Sequence, residues 1–266
     1  MRRSLRQMQR LIISGKRVGL LIFFSTLAAC LSLDPPTTEI DPLPPGGHHV
    51  LFIGNSLTYT YDLPGTVSQL ARSVGDTVRV RSVALPNFAV IDHALGLSNA
   101  VDVIRSQPWE YVLLQQGPTT LDVNRDTLII ATKLLDPSIT GAGAKSAQLM
   151  TWPNSNQLHL FASVRASSQL AADAVGGVFI PVGEAWRKVI GLDPAIPLYG
   201  PDGYHPGPIG TYLGALVVYE MVTGHDARKL PGVAEVGGAR LTISEQTVRM
   251  LQEAAHATVV EYTFTQ

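Results

Sequence analysis

From His49 to Val182 the chain repeats one unit: a short apolar run, a stop, and a stretch with helical spacing. The runs cover 49–53, 77–83, 111–114, 147–151 and 178–182. They are too short for helices: 49–53 is rich in β-branched and aromatic residues, 77–83 alternates Val78 and Val80 with Arg79 and Arg81 so that one face is wetter, and Trp152-Pro153 ends the fourth, so they read as strands. Between the first two runs, Leu63, Val67, Leu70, Ala71 and Val74 recur at helical intervals before Gly75. Helices are likewise expected over 90–104 (weakened by Gly96), 126–135, 158–175 and 209–222, the last entered through Pro206 and Pro208 and left at Gly224. A short helix passes through Trp186 and Ile190. A final helix begins at a capping box of Thr242 and Glu245 and turns Val248, Leu251 and Ala255 inward. Strands alternating with helices imply an α/β protein with a mostly parallel sheet covered on both faces. Such sheets gather ligands at the carboxyl ends of their strands. Ser56 follows the first run, Gln116-Gly117 the third and Trp152 the fourth, so three loops open on one edge. The loop carrying Asp202 and His205 can reach that edge.

The beginning of the chain has another character. Six basic residues and no acid precede the apolar segment Val18–Ala29. At about a dozen residues this segment is short for a membrane span and fits the apolar region of an export signal. It ends in Leu27-Ala28-Ala29-Cys30, which looks like a bacterial lipobox. The expectation is a lipoprotein signal peptide over residues 1–29, a lipidated Cys30, an extended tether to residue 47, and one domain over 48–266. The protein would then sit in the bacterial cell envelope, outside the cytoplasm, with the lipid on Cys30 as its membrane contact. Cys30 is the only cysteine, so no intramolecular disulfide can form. The mature chain of roughly 235 residues is enough for one sizeable core. A formal net charge of −1, with acids and bases scattered, points away from nucleic acid as a partner.

Two short blocks carry the chemistry. Gly54-Asn55-Ser56-Leu57-Thr58 puts a serine at the tip of the first strand, and Asp202-Gly203-Tyr204-His205-Pro206 sets an aspartate three residues before a histidine. Alone, each has an ordinary reading, the first as a helix cap and the second as a turn. Together they supply the parts of an activated hydroxyl nucleophile. In this order and at these places they resemble the blocks of the GDSL, or SGNH, hydrolase superfamily. The resemblance implies a flavodoxin-like three-layer α/β/α sandwich of roughly five strands. It also implies a triad with Ser56 as nucleophile, His205 as base and Asp202 as its partner, and acyl transfer without a metal or organic cofactor. The middle blocks depart from the family pattern. Leu85-Pro86-Asn87-Phe88 is the best match to the second, and Gly117-Pro118-Thr119-Thr120 stands where the third normally reads Gly-x-Asn-Asp. Candidate oxyanion donors are therefore the Ser56 N–H, Asn87, Gln116 and Thr119, while Pro118 can donate no backbone hydrogen bond.

Other residues are candidates of a weaker kind. Trp152 and Asn154 could line a substrate rim, or the indole could belong to the core. Glu184 and Trp186 follow the fifth strand, where a capped helix with a buried indole is the preferred reading. His48 and His49 are adjacent on a strand and point to opposite faces, so a shared metal is not expected. His93, His159, His225 and His256 lack ligand spacing and read as surface or capping residues, and Asp202 and His205 have no visible third ligand. The leading reading is an esterase acting on a small ester or an acylated glycan. Its rival is a non-catalytic glycan-binding or structural envelope lipoprotein built on a hydrolase scaffold.

Overall fold

The structure is a computed structural model that describes residues 37–232 and 234–263. The expected signal peptide and lipidated Cys30 lie outside the described residues. Five parallel strands form the central sheet: β1 (His48–Gly54), β2 (Val78–Ala84), β3 (Tyr111–Gln115), β4 (Lys145–Leu149) and β5 (Val178–Ile180), in spatial order β2-β1-β3-β4-β5. The helices are α1 (Ser56–Tyr59), α2 (Leu63–Ser73), α3 (Val90–Ala94), α4 (Ala100–Arg105), α5 (Asp122–Gly141), α6 (Phe161–Asp173), α7 (Val182–Leu192), α8 (Pro208–Thr223) and α9 (Glu245–Thr263). A two-stranded antiparallel hairpin, β6 (Ala234–Val236) and β7 (Ala239–Leu241), precedes α9.

Both faces of the sheet are buried because successive side chains point to opposite sides. Val50, Phe52 and Leu113 enter one apolar cluster, shared with α2, α7, α8 and α9. Leu51, Ile53, Val112 and Leu114 enter the other, shared with α3, α4 and α5. The expected three-layer α/β/α sandwich is the observed architecture. Among the described residues no helix is long and apolar enough to cross a membrane.

Several boundaries differ from the sequence reading. The helix expected over 90–104 is two helices, broken where Gly96 takes a left-handed conformation (φ +81°). The fifth helix is longer at both ends than the expected 126–135, and β4 begins two residues before the expected 147. The capping box of Thr242 and Glu245 does not form; Ser244 caps α9 instead, its Oγ accepting the Thr247 N–H at 3.1 Å. The hairpin was not anticipated, although Gly237-Gly238, both at positive φ, is a strong turn signal.

The expected tether also differs over its described part. Thr38 donates to the Ser82 carbonyl through its hydroxyl and exchanges two hydrogen bonds with the Asn99 amide. Arg81 donates to the Glu39 carbonyl, and Arg79 to those of Pro45 and Gly46. Gly47 lies against Thr77. Residues 38, 39, 45–46 and 47 thus meet 82, 81, 79 and 77 in turn. The segment is a strap running antiparallel to β2 along the sheet edge, from the carboxyl toward the amino ends of the strands. An uncovered edge strand invites pairing with another chain. A chain starting at Gly47 should therefore shift toward larger species in sedimentation velocity than a chain starting at Pro35. Identical profiles would deny the strap this protective role.

Candidate active site

The turn that carries Ser56 is built by hydrogen bonds to a neighbouring strand. β1 ends at Gly54, where a Cβ would sit 2.4 Å from Gln115 Oε1 and 2.7 Å from Thr58 Oγ1, so only glycine fits. Asn55 is extended and caps α1, its Oδ1 accepting the Leu57 N–H at 3.1 Å, while its Nδ2 donates to the Phe88 carbonyl at 2.9 Å. Ser56 is then the first helical residue, and its N–H has no intrahelical acceptor. Gln115, buried at the end of β3, holds this turn. Its Oε1 accepts the Asn55 N–H at 3.0 Å and the Thr58 hydroxyl at 2.7 Å, and its Nε2 donates to Asn55 Oδ1 at 3.1 Å. Sequence reasoning saw Gln115 and Gln116 as a donor-rich strand end but gave a role only to Gln116; the further signal was a lone glutamine closing the otherwise apolar strand Tyr-Val-Leu-Leu-Gln.

His93 supports the same turn. It is fully buried, not a surface residue as expected, with Nε2 2.9 Å from the Gly54 carbonyl and Nδ1 2.8 Å from Ser98 Oγ. A carbonyl can only accept, so Nε2 carries the hydrogen and Nδ1 receives the Ser98 hydroxyl. Burial pushes the imidazole below its ordinary value and keeps it neutral.

The second half of the site comes from the loop between α7 and α8. A bridge between Tyr199 and Pro206, with Gly200 N–H bonded to the His205 carbonyl at 2.8 Å, closes the loop on itself. Asp202 organises its tip. Its Oδ1 accepts the backbone N–H groups of Tyr204 and His205, each at 3.0 Å, and its Oδ2 accepts from His205 Nδ1 at 2.5 Å. The imidazole bond, followed by the Tyr204 N–H, draws the Asp202 carboxyl down to about 2, so it stays ionised at any ordinary pH. An ionised acceptor at Nδ1 leaves Nε2 as the bare nitrogen, and Nε2 lies 2.8 Å from Ser56 Oγ. Residues separated by 149 positions thus meet at the carboxyl edge of the sheet.

A stack of aromatic side chains supports that loop. Trp152 lies parallel to Trp186 at 3.6 Å, Trp186 meets Tyr199 edge-on at 5.0 Å, and the Tyr199 hydroxyl donates to the Pro153 carbonyl at 2.8 Å. The Trp152 N–H donates to the Tyr204 carbonyl at 3.1 Å. Trp152 is therefore a buried support and not a substrate rim. Asn154 bonds Gln157 at 3.1 Å in the same loop and does not line the adjacent cavity. Trp186 is buried within α7, as the preferred reading had it, and so is Glu184, but the helix starts after Pro181 without the expected side-chain cap.

Beside the triad lies an open cavity of about 440 Å³, walled by Asn55, Asn87, Phe88, Gln116, Thr119 and Tyr204 among others. The oxyanion candidates fare differently. Thr119 is buried, spends its hydroxyl hydrogen on the Gly117 carbonyl and accepts from Gln116, so it has no hydroxyl donor to offer. Gln116 accepts the Val90 N–H, and only one of its two amide hydrogens goes to Thr119. Asn87 sits at the cavity in a left-handed turn (φ +61°), which asparagine tolerates better than most residues. Tyr204, unnoticed in the sequence, also lines the cavity, its hydroxyl 3.0 Å from where a Cβ on Gly117 would stand.

Elsewhere, Glu220, Asp226 and His256 converge with ligand-type atoms within 4.8 Å of one another. Their atoms already have protein partners: His256 and the Ala227 N–H take Glu220, and Arg228 takes both Asp226 oxygens. His256 is therefore a half-buried member of a hydrogen-bonded cluster with Glu220, rather than the surface or capping residue expected.

No family model and no curated protein sequence matches the chain. Solved structures do. A DUF4886 family protein from Bacteroides uniformis ATCC 8492 superposes with TM-score 0.68 at 18% identity, over 81% of this chain and 95% of that one. A lipase/acylhydrolase from Enterococcus faecalis gives 0.51 at 18% identity, over 69% and 97%. A protein assigned to the SGNH hydrolases, from Slackia heliotrinireducens, gives 0.51 at 24% identity, over 66% and 98%. The chain has the fold of the SGNH hydrolases.

Two outcomes follow from the geometry. Gln115→Leu keeps the side-chain bulk but strands the Asn55 N–H and the Thr58 hydroxyl, at a cost of about 1–3 kcal/mol per buried group. Urea denaturation should show this loss, and a fully stable variant would refute the clamp. His93 has a depressed native value, so the unfolded chain binds its proton first as pH falls below 6.5. Stability should then be complete above that pH and decline below it, more steeply than in His93→Gln.

Proposed function

We propose that the protein is a lipid-anchored serine esterase of the cell envelope that cleaves carboxylic esters by acyl transfer, with an acylated, uncharged glycan as the favoured substrate class. The observation that carries the esterase reading is the continuous path from Ser56 Oγ through the His205 imidazole to the Asp202 carboxylate, at 2.8 and 2.5 Å. His205 Nε2 takes the hydroxyl proton as Ser56 Oγ attacks the ester carbonyl carbon. Asp202 fixes the tautomer and stabilises the imidazolium. The tetrahedral oxyanion is received by the Ser56 N–H, with the second Gln116 amide hydrogen and Asn87, both at the adjacent cavity, as further donors. His205 returns the proton to the departing alcohol. Water, deprotonated in the same way, then cleaves the acyl-enzyme.

The fold neighbour described as a lipase/acylhydrolase supports ester chemistry in general. The glycan preference rests on the cavity, where the lining residues are uncharged and include amides, hydroxyls and the aromatic rings of Phe88 and Tyr204. Such a wall suits a hydroxyl-rich neutral molecule. Export and anchoring rest on the leader and the Leu27-Ala28-Ala29-Cys30 block.

With p-nitrophenyl acetate, Ser56→Ala should reduce turnover to the uncatalysed background. Asp202→Asn should lower kcat by about 10³–10⁴-fold with KM little changed, because it loses the charge and the tautomer control but not the shape. Turnover by Ser56→Ala equal to that of the native protein would leave the non-catalytic binding reading in place.

A further inference from the structure

The strap runs one way only, and this fixes where the chain enters the domain. Thr38 stands beside Ser82 near the carboxyl end of β2, and Ser82 is level with Phe52, two residues before Gly54. The chain therefore enters at the edge of the sheet that carries Ser56, and descends to the opposite edge before starting β1. Cys30 precedes Thr38 by eight residues, which span at most roughly 28 Å even when fully extended.

The loops on that edge expose large apolar side chains. Leu121 and Val123, where β3 passes into α5, are 62% and 66% exposed, although Asn124 and Thr127 of the same helix line the cavity beside Ser56 and His205. Tyr59, three residues after the nucleophile, is 41% exposed. Leu158, in the loop beside Asp202, is also exposed. An apolar rim around a polar cavity, on the edge where a short lipid-bearing segment enters, fits a bilayer surface better than bulk water.

From this we infer that the carboxyl edge of the sheet faces the membrane, with Leu121 and Val123 seated at the level of the lipid headgroups and Ser56 opening toward the bilayer. The substrate then reaches Ser56 from the membrane plane, as an ester carried by a membrane-attached molecule. The inference rests on the lipid-anchor reading of Cys30.

The test uses the full lipidated chain in phosphatidylcholine vesicles containing a doxyl-labelled lipid. Lipidation consumes the one native thiol, so a cysteine introduced as Leu121→Cys or Thr140→Cys can carry a bimane label alone. These positions lie at opposite ends of α5, roughly 28 Å apart. The expected result is several-fold stronger quenching at Leu121→Cys than at Thr140→Cys, reproduced by Val123→Cys, which guards against a local disturbance. Vesicle-bound protein with equal quenching at both ends, or stronger quenching at Thr140→Cys, overturns the orientation while leaving the anchor intact. Protein that stays in the supernatant with no added lipid mass at Cys30 overturns the anchor, and the orientation with it.

Discussion

The site depends on one carboxylate acting in two directions. Asp202 uses one oxygen to gather the Tyr204 and His205 N–H groups, which shapes the loop tip, and the other to hold the imidazole. A carboxylate that accepts three hydrogen bonds is stabilised in its charged form without burial. This is how a half-exposed aspartate can stay ionised and still fix a histidine. The loop itself borrows rigidity from the Trp152–Trp186–Tyr199 stack beneath it, so the placement of Asp202 and His205 rests on packing as well as on charge.

On the opposite side the serine is held by uncharged groups. Gln115 and His93 satisfy the Gly54-Asn55 turn from two elements of different layers, one at the end of β3 and the other in α3. The two halves differ accordingly in how they answer to pH. The Asp202 carboxyl stays charged across the neutral range because it sits near 2. The serine turn includes a buried imidazole that must remain neutral to do its work. Gly117-Pro118-Thr119-Thr120 forms a structural brace: Thr119 ties Gln116 to Gly117, and Gln116 in turn accepts the Val90 N–H at the start of α3.

Much of this was legible in the chain. Short apolar or alternating runs closed by turn or polar residues marked all five strands, and the two end blocks named Ser56, Asp202 and His205, which the fold brings together. What escaped was whatever depends on a partner distant in sequence. Nothing local to His93 distinguishes a buried histidine from an exposed one; its burial follows from the Gly54 carbonyl it meets across the turn. Trp152 could be rim or core until Trp186 was seen stacked on it. The residues after the expected cleavage site read as a spacer because prolines and threonines favour extended chain, and extended chain is also what lies down along a sheet edge when Arg79 and Arg81 donate to its carbonyls.

The most direct test of the central claim is a crystal structure of the protein after reaction with diethyl p-nitrophenyl phosphate. The account predicts phosphorus bonded to Ser56 Oγ, with a phosphoryl oxygen turned toward the Ser56 N–H and Gln116, and His205 still bridging to Asp202. An unmodified Ser56, or an adduct on another residue with His205 swung away, would contradict it.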